Sequence, residues 1–485
     1  GVYVTMPGSK GVLRGPYKTL RTAAAGNLVL LATTDEGEVV VIGPRGSGDP
    51  LNVAAFGATG DGTTDDTAAV QAAIDAVAET GGGVVEFGPG TFRCNVVIRP
   101  KVTLAGQGVG VTVLKAVAGS DANVVTGVDF DDLTDKAYAA GDIYLGARLC
   151  RIRSLTIDGD KATQASGWGI QVWGANLVFS DIQVQNCKDG GIWTEFTTHD
   201  AATPDDLLES VFSNVKVVTC DGDGWRWRGP HDSYMNDVIL ANNDGWGICG
   251  DRLDPNALLT ATRVNAWMNT SGSYSMDCQA HFQDCVASGS TGTGVVFGEG
   301  TGNNRYHGAV FGHPTGIIAR GDEVNINVQG GSCSGTYLQI GVTGVGGGCG
   351  YLDAVVEVFD VGTAVDFQNV GGGRPCNVSV VASDVTTLQT GLGTFTGGGI
   401  INLMTDSGLY DPPNRYLYFG ADRFQWAAGW TPLFPESNGV ILTKDASSTT
   451  VGAAGAASAL PATPTAYWTV KDENGDSFKI PVYAT

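Results

Sequence analysis

Basic side chains are scarce: 28 Lys and Arg stand against 50 Asp and Glu, a net charge of −22 over 485 residues. Phosphate backbones are held by clustered Lys and Arg, so this balance argues against a nucleic-acid binder. It suits a soluble particle component that does not adhere to anionic surfaces. No apolar run approaches the ~18 residues of a membrane span, so no membrane insertion is expected. The stretch "AGNLVLLATT" is short and too far inside the chain for an ordinary signal peptide, so secretion by that route is not expected. A Cys-x-x-Cys pair is missing. The acidic stretch "GDGTTDD" lacks both the ligand spacing of a calcium loop and the Gly-Lys-Ser/Thr ending of a phosphate cradle. Neither metal nor cofactor is therefore expected.

Glycine, by contrast, is abundant: 72 residues, beside only 5 Met, which points to an all-β chain with many tight turns. A glycine followed closely by an apolar strand recurs at Gly167, Gly191, Gly224, Gly245, Gly272, Gly294, Gly316, Gly335, Gly362 and Gly391. The intervals of 19 to 33 residues suit one coil of a parallel β-helix. A second strand set, with "LVFSDIQVQN", "VFSNVKVVTC" and "MNDVILANN" among its members, precedes these markers and ends in Asn and Asp, as turns require.

The spacing "TTDDTAAVQAAIDAV" predicts a helix over 63–79. Thr63 or Thr64 is its expected cap, Asp65 and Asp66 its first turn, and Ala69, Val70, Ala73, Ile74 and Val77 its apolar face. Gly81-Gly82-Gly83 ends it, and the strand "VVEF" follows. The organisation read from the chain is residues 1–50 as a small β module and linker, 51–400 as the β-helix with its cap, 401–446 as a C-terminal β region, and 447–485 as a connector and terminal hairpin. In that hairpin "DENGD" joins two alternating strands.

The run "FGATGDGTTDDTAAVQAAIDAV…GGGVVEFGPGTF…VTLAGQG", over about residues 52–115, resembles the pectate-lyase superfamily of right-handed parallel β-helices. It is most similar to bacteriophage tailspikes and polysaccharide depolymerases. The last residues, "PATP…Y…NG…KIP", resemble the ends of phage tail-fibre and spike proteins. The resemblance implies a virion protein that is a parallel homotrimer, meets other virion proteins through its N-terminal module, and acts on bacterial surface polysaccharide.

The ten cysteines read as reduced and buried, because Cys187 and Cys220 fall at equivalent places before equivalent turns and stack as a ladder; Cys333 looks similar. Seven of the ten Trp fall between Trp168 and Trp267, a cluster suited to stacking on sugar rings. Alternation in "GIQVW", "GIWTEF", "GWRWRG", "GWGICGDR" and "SYSMDC" points Trp225, Trp227 and Trp246 inward. It leaves Trp173, Trp193, Glu195, Arg226, Arg228, Asp251 and Asp277 on one exposed lateral face. Aromatics, carboxylates and guanidiniums together suit an acidic polysaccharide.

Glu195 and Asp251, about two coils or ~9.6 Å apart by strand spacing, are the expected catalytic pair. That distance is near the upper end of the separation in an inverting glycosidase. Trp173, Trp193, Arg226, Arg228 and Asp277 are the expected substrate-binding residues. His199, Asp205, His231 and Asp232 are secondary candidates, whereas Asp189, Asp223 and Asp244 read as turn-formers. A lyase, with Arg226 and Arg228 neutralising a uronate carboxylate, and a non-enzymatic adhesin of the same architecture are the alternatives; a free-living pectinase is a third, weaker one.

Overall fold

The computed structural model describes residues 50–128, 130, 146–195, 209–230, 232–250, 258–298, 302–341, 351–368 and 376–390, together with the backbone of strands elsewhere. The chain forms two compact units, Gly1–Pro314 and Thr315–Thr485. The described residues are nearly all parallel β-sheet wound as a β-solenoid. Among them, no helix is long and apolar enough to cross a membrane.

In the first unit, Val4–Thr5 with Val12–Leu13 and Val29–Thr33 with Val39–Pro44 form antiparallel pairs. The helix of the opening segment runs over Thr67–Glu79, four residues later than its spacing predicts. Asp61–Asp65 is a strand instead, because the acids close turns around it. Asp61 accepts the backbone N–H groups and both hydroxyls of Thr63 and Thr64, which hold its carboxyl well below the usual range. Asp66, at the N-cap, directs its carboxylate away from the helix to the N–H groups of Thr59 and Gly60. Val70, Ala73, Ile74 and Val77 are fully buried, against strands that include Gly83–Glu86 and Val96–Ile98.

Parallel pairing begins at the start of the expected β-helix: Leu51 pairs with Val85, and Val84 with Thr103. Strands Arg151–Asp158, Val178–Gln185 and Val211–Val218 then stack in register, Leu155 on Ile182 on Val215. Each of these reads as one alternating strand, yet each contains a corner. Ser154, Asp181 and Asn214, followed by Asp237, Arg263 and Asp284 on later coils, all have left-handed φ between 50 and 56°. Asn and Asp tolerate that conformation, which accounts for most of the corner residues. The corner resets the alternation, so Phe179 and Ile182, three apart, both point inside.

A second set of left-handed corners, Asn186, Thr219, Asn242 and Met268, precedes an internal ladder. Cys187, Cys220, Asn243, Asn269, Ser290 and His313 succeed one another there, each at most 3% exposed. Asn243 Nδ2 donates to Asn269 Oδ1 at 2.9 Å, and the N–H of Asn269 donates to the Ser290 hydroxyl at 3.2 Å. The nine described cysteines are free thiols, and eight are buried.

Trp225 and Trp227 lie inside, as the alternation predicts. The Trp225 ring packs against Phe212 at 4.8 Å, and its indole N–H donates to the Thr194 hydroxyl at 3.2 Å. Trp246 is a correction: it is half-buried and lies across Gly272 of the next coil, where a Cβ would come within 2.2 Å of its ring. Trp246 opens its strand ahead of the inward column that begins with Ile248 on Trp225, and its ring covers the glycine of the next coil instead of entering the core.

In the second unit, Glu323–Ile340, Tyr351–Phe367 and Cys376–Thr390 stack in parallel, Val328 on Val356 on Val380. Gly399–Thr405 joins them in parallel and turns antiparallel to Arg415–Phe419. The final strands, Ala466–Lys471 and Ser477–Val482, form the expected antiparallel hairpin.

Candidate functional site

Three neighbouring strands of the first unit, Trp168–Trp173, Gly190–Glu195 and Asp223–Arg228, build the lateral face. Parallel register stacks Gln171, Trp193 and Arg226 in one column and Trp173, Glu195 and Arg228 in the next. Alternation thus brings five of the expected residues together. The Arg226 guanidinium carbon lies 4.8 Å from the centroid of the Trp193 ring, a cation–π contact. Glu195 Oε2 accepts from the Trp193 indole N–H at 3.2 Å and from Arg228 Nη1 at 3.3 Å.

Contrary to expectation, two of these residues are buried, and Trp193, Arg226 and Arg228 are half-buried. Trp173 is 2% exposed and Glu195 3%. Trp173 forms a small core with Phe130 and Ala175, and Trp193 packs against it. Gly146 comes so close that a Cβ there would meet the Trp173 ring at 2.5 Å, and its left-handed φ of 75° also favours glycine. Chain from an earlier coil therefore covers what strand alternation alone leaves open. Trp173 becomes a support under Trp193 instead of a sugar platform.

Asp277 is exposed at the end of Gly272–Met276. The registers Trp227 with Gly250 and Gly250 with Met276 put it three coils from Glu195, ~14 Å along the stack. Asp251, His199, Asp205 and His231 lie outside the described residues. Asp232 is half-buried with a left-handed φ of 52°. Asp189 and Asp223 act as turn residues that also tie coils together: Asp189 Oδ2 accepts from the N–H of Gly167 at 2.7 Å, and Asp223 Oδ1 from that of Trp246 at 2.8 Å.

Beside this face opens a cleft of about 440 Å³ that sequence reasoning missed. Its lining includes Trp168, Trp193, Asn123, Gln171, Asp121 and Asp189. The Trp168 and Trp193 rings meet edge to face at 5.3 Å. Asn123 organises one wall: its Oδ1 accepts from the N–H of Trp168 at 2.8 Å, and its Nδ2 donates to Gln171 Oε1 at 2.5 Å. Asn123 and Trp168 are 45 residues apart, so no local motif announces their meeting.

Residues 51–272 match the family model described as rhamnogalacturonase A/epimerase, pectate lyase-like. Over 129 residues, 24% of this chain, the sequence is 38% identical to the mannuronan C5-epimerase AlgE6 of Azotobacter vinelandii, covering 14% of that protein. Over 119 residues, 23% of this chain, it is 39% identical to alginate lyase 7 of the same organism, covering 13% of it. The chain thus spans about one seventh of the length of these curated relatives. Among solved structures, the tailspike gp49 of Acinetobacter baumannii bacteriophage Fri1, a capsular polysaccharide depolymerase, aligns at TM-score 0.42 and 12% identity, over 74% of this chain and 60% of that one.

Proposed function

We propose that this chain binds a polysaccharide along the lateral face of its first unit and modifies it enzymatically. The observation that carries the reading is the cleft with its tryptophan pair, whose Trp193 shares a strand with Glu195 of the Glu195–Arg228 ion pair. Sugar rings present apolar faces and hydroxyl edges, and the cleft offers indole surface beside the amides of Asn123 and Gln171. Relatives named for epimerising mannuronan and cleaving alginate support modification over adhesion alone.

Hydrolysis of bacterial surface polysaccharide is our first reading of the chemistry, with Glu195 and Asp251 as the carboxylates, Trp193, Arg226 and Arg228 as binding residues, and Asp277 as a more distant contact. The second reading, proton abstraction beside a uronate carboxylate, is favoured by the paired Arg226 and Arg228. The sequence of the terminal hairpin supports a phage spike, trimeric and displayed on the virion.

Incubation with capsular and extracellular bacterial polysaccharides tests both chemistries. Hydrolysis yields shorter chains with saturated ends, elimination yields ultraviolet-absorbing unsaturated ends, and epimerisation changes composition at constant size. No change in size, ends or composition with any polymer would leave only the adhesin.

A further inference from the structure

The cleft beside Trp193 carries a charge pattern that the lateral face does not. No Lys, Arg or His is among its ten described lining residues, whereas two carboxylates, Asp121 and Asp189, are. Both are exposed and both grip the same turn: Asp121 Oδ1 accepts from the N–H of Ala165 at 2.6 Å, and Asp189 Oδ2 from that of Gly167 at 2.7 Å. Each commits one oxygen to the turn, which fixes the two side chains on either side of it. The second oxygen of each carries no hydrogen bond from a described residue. Arg226 stacks on Trp193 from the following coil and is not part of the lining.

A concave site lined by one sign of charge concentrates ligands of the opposite sign. Two carboxylates beside indole edges would repel a uronate and attract an ammonium group, whose three donors match carboxylate and amide acceptors. From this juxtaposition we infer that the cleft seats a sugar residue bearing an amino group and rejects one bearing a carboxylate. The inference rests on the polysaccharide-binding reading above and names the sugar class of its cleft. A polymer accepted here carries amino sugars at the cleft, and any acidic unit falls outside it, toward Arg226.

Titration of the full chain with three trisaccharides at low salt tests this: tri-glucosamine, its N-acetylated form and tri-mannuronate. The expected order is amino, then neutral, then acidic, with about tenfold between the extremes. The double variant D121N/D189N keeps both acceptor oxygens for the turn and removes both charges. It should bring tri-glucosamine and tri-mannuronate to within about threefold of each other.

Two results overturn the inference while leaving the function standing: tri-mannuronate bound as tightly as tri-glucosamine by the parent, or an unchanged order in D121N/D189N. The latter would assign the preference to the overall charge of −22. If the parent binds none of the three and alters no polysaccharide, the functional reading falls as well.

Discussion

Arg228 and Glu195 occupy the same strand position on consecutive coils, and Arg228 Nη1 donates to Glu195 Oε2 at 3.3 Å while the carboxylate is 3% exposed. The Trp193 indole N–H reaches the same oxygen. The two donors hold this enclosed carboxylate in one geometry.

Replacing Glu195 with Gln keeps the shape and an acceptor for both donors. Polysaccharide modification should fall about 10²- to 10⁴-fold with binding retained. Assays of product formation and of binding to the same polymer separate the two. Full activity in Glu195→Gln would remove Glu195 from the chemistry.

Two tryptophans one coil apart should behave oppositely. Trp193→Ala opens the cleft wall and removes the ring under Arg226, so oligosaccharide binding should weaken. Trp225→Ala empties a fully buried site against Phe179 and Phe212 and should cost about 3–5 kcal/mol in urea unfolding. A larger stability loss for Trp193→Ala than for Trp225→Ala would reverse the assignment of core and surface.

Stability should decline as the solution is acidified below the ordinary histidine range, about pH 6.5. His313 is 1% exposed, its Nδ1 lies 3.2 Å from the Gly292 carbonyl, and its Nε2 has no hydrogen-bond partner among the described residues. Burial therefore pushes its pKa down. The unfolded chain then binds the proton first, so stability is full above the unfolded pKa and is lost as pH falls through the window toward the folded one. His313→Asn extends the ladder of Asn243 and Asn269 and should flatten the slope of melting temperature against pH. His281, also lowered chiefly by burial, should leave a smaller residual slope. An identical slope in His313→Asn would assign the acid sensitivity elsewhere.

Cysteines should resist alkylation until the chain unfolds. Burial raises the Cys187 thiol well above its usual range, and it raises Cys150 and Cys285 to about 12, which leaves almost no thiolate to react. Mass spectrometry after timed alkylation checks this. Rapid modification of several residues in the native protein would contradict the burial.

Self-association is expected to give a trimer, read by light scattering at micromolar concentration. Truncation after Ser447 should weaken it if the terminal hairpin clasps subunits. A monomer mass for the parent would count against the spike reading.

The amino-acid sequence by itself determined the repeat and much of the lateral face. Coil stacking is local and repetitive, so glycine markers at 19 to 33 residues and alternation within "GIWTE" and "GWRWR" place Trp193, Glu195, Arg226 and Arg228 on neighbouring strands of one sheet. Tertiary structure decided what covers that sheet. Phe130 and Gly146 bury Trp173 from outside its own coil, and Asn123 meets Trp168 and Gln171 across 45 and 48 residues to build the cleft. It also decided where alternation stops, since a left-handed residue such as Asp181 resets which neighbours face inward. Periodicity reports the direction of a side chain from its own strand, whereas burial depends on whichever distant segment packs over it.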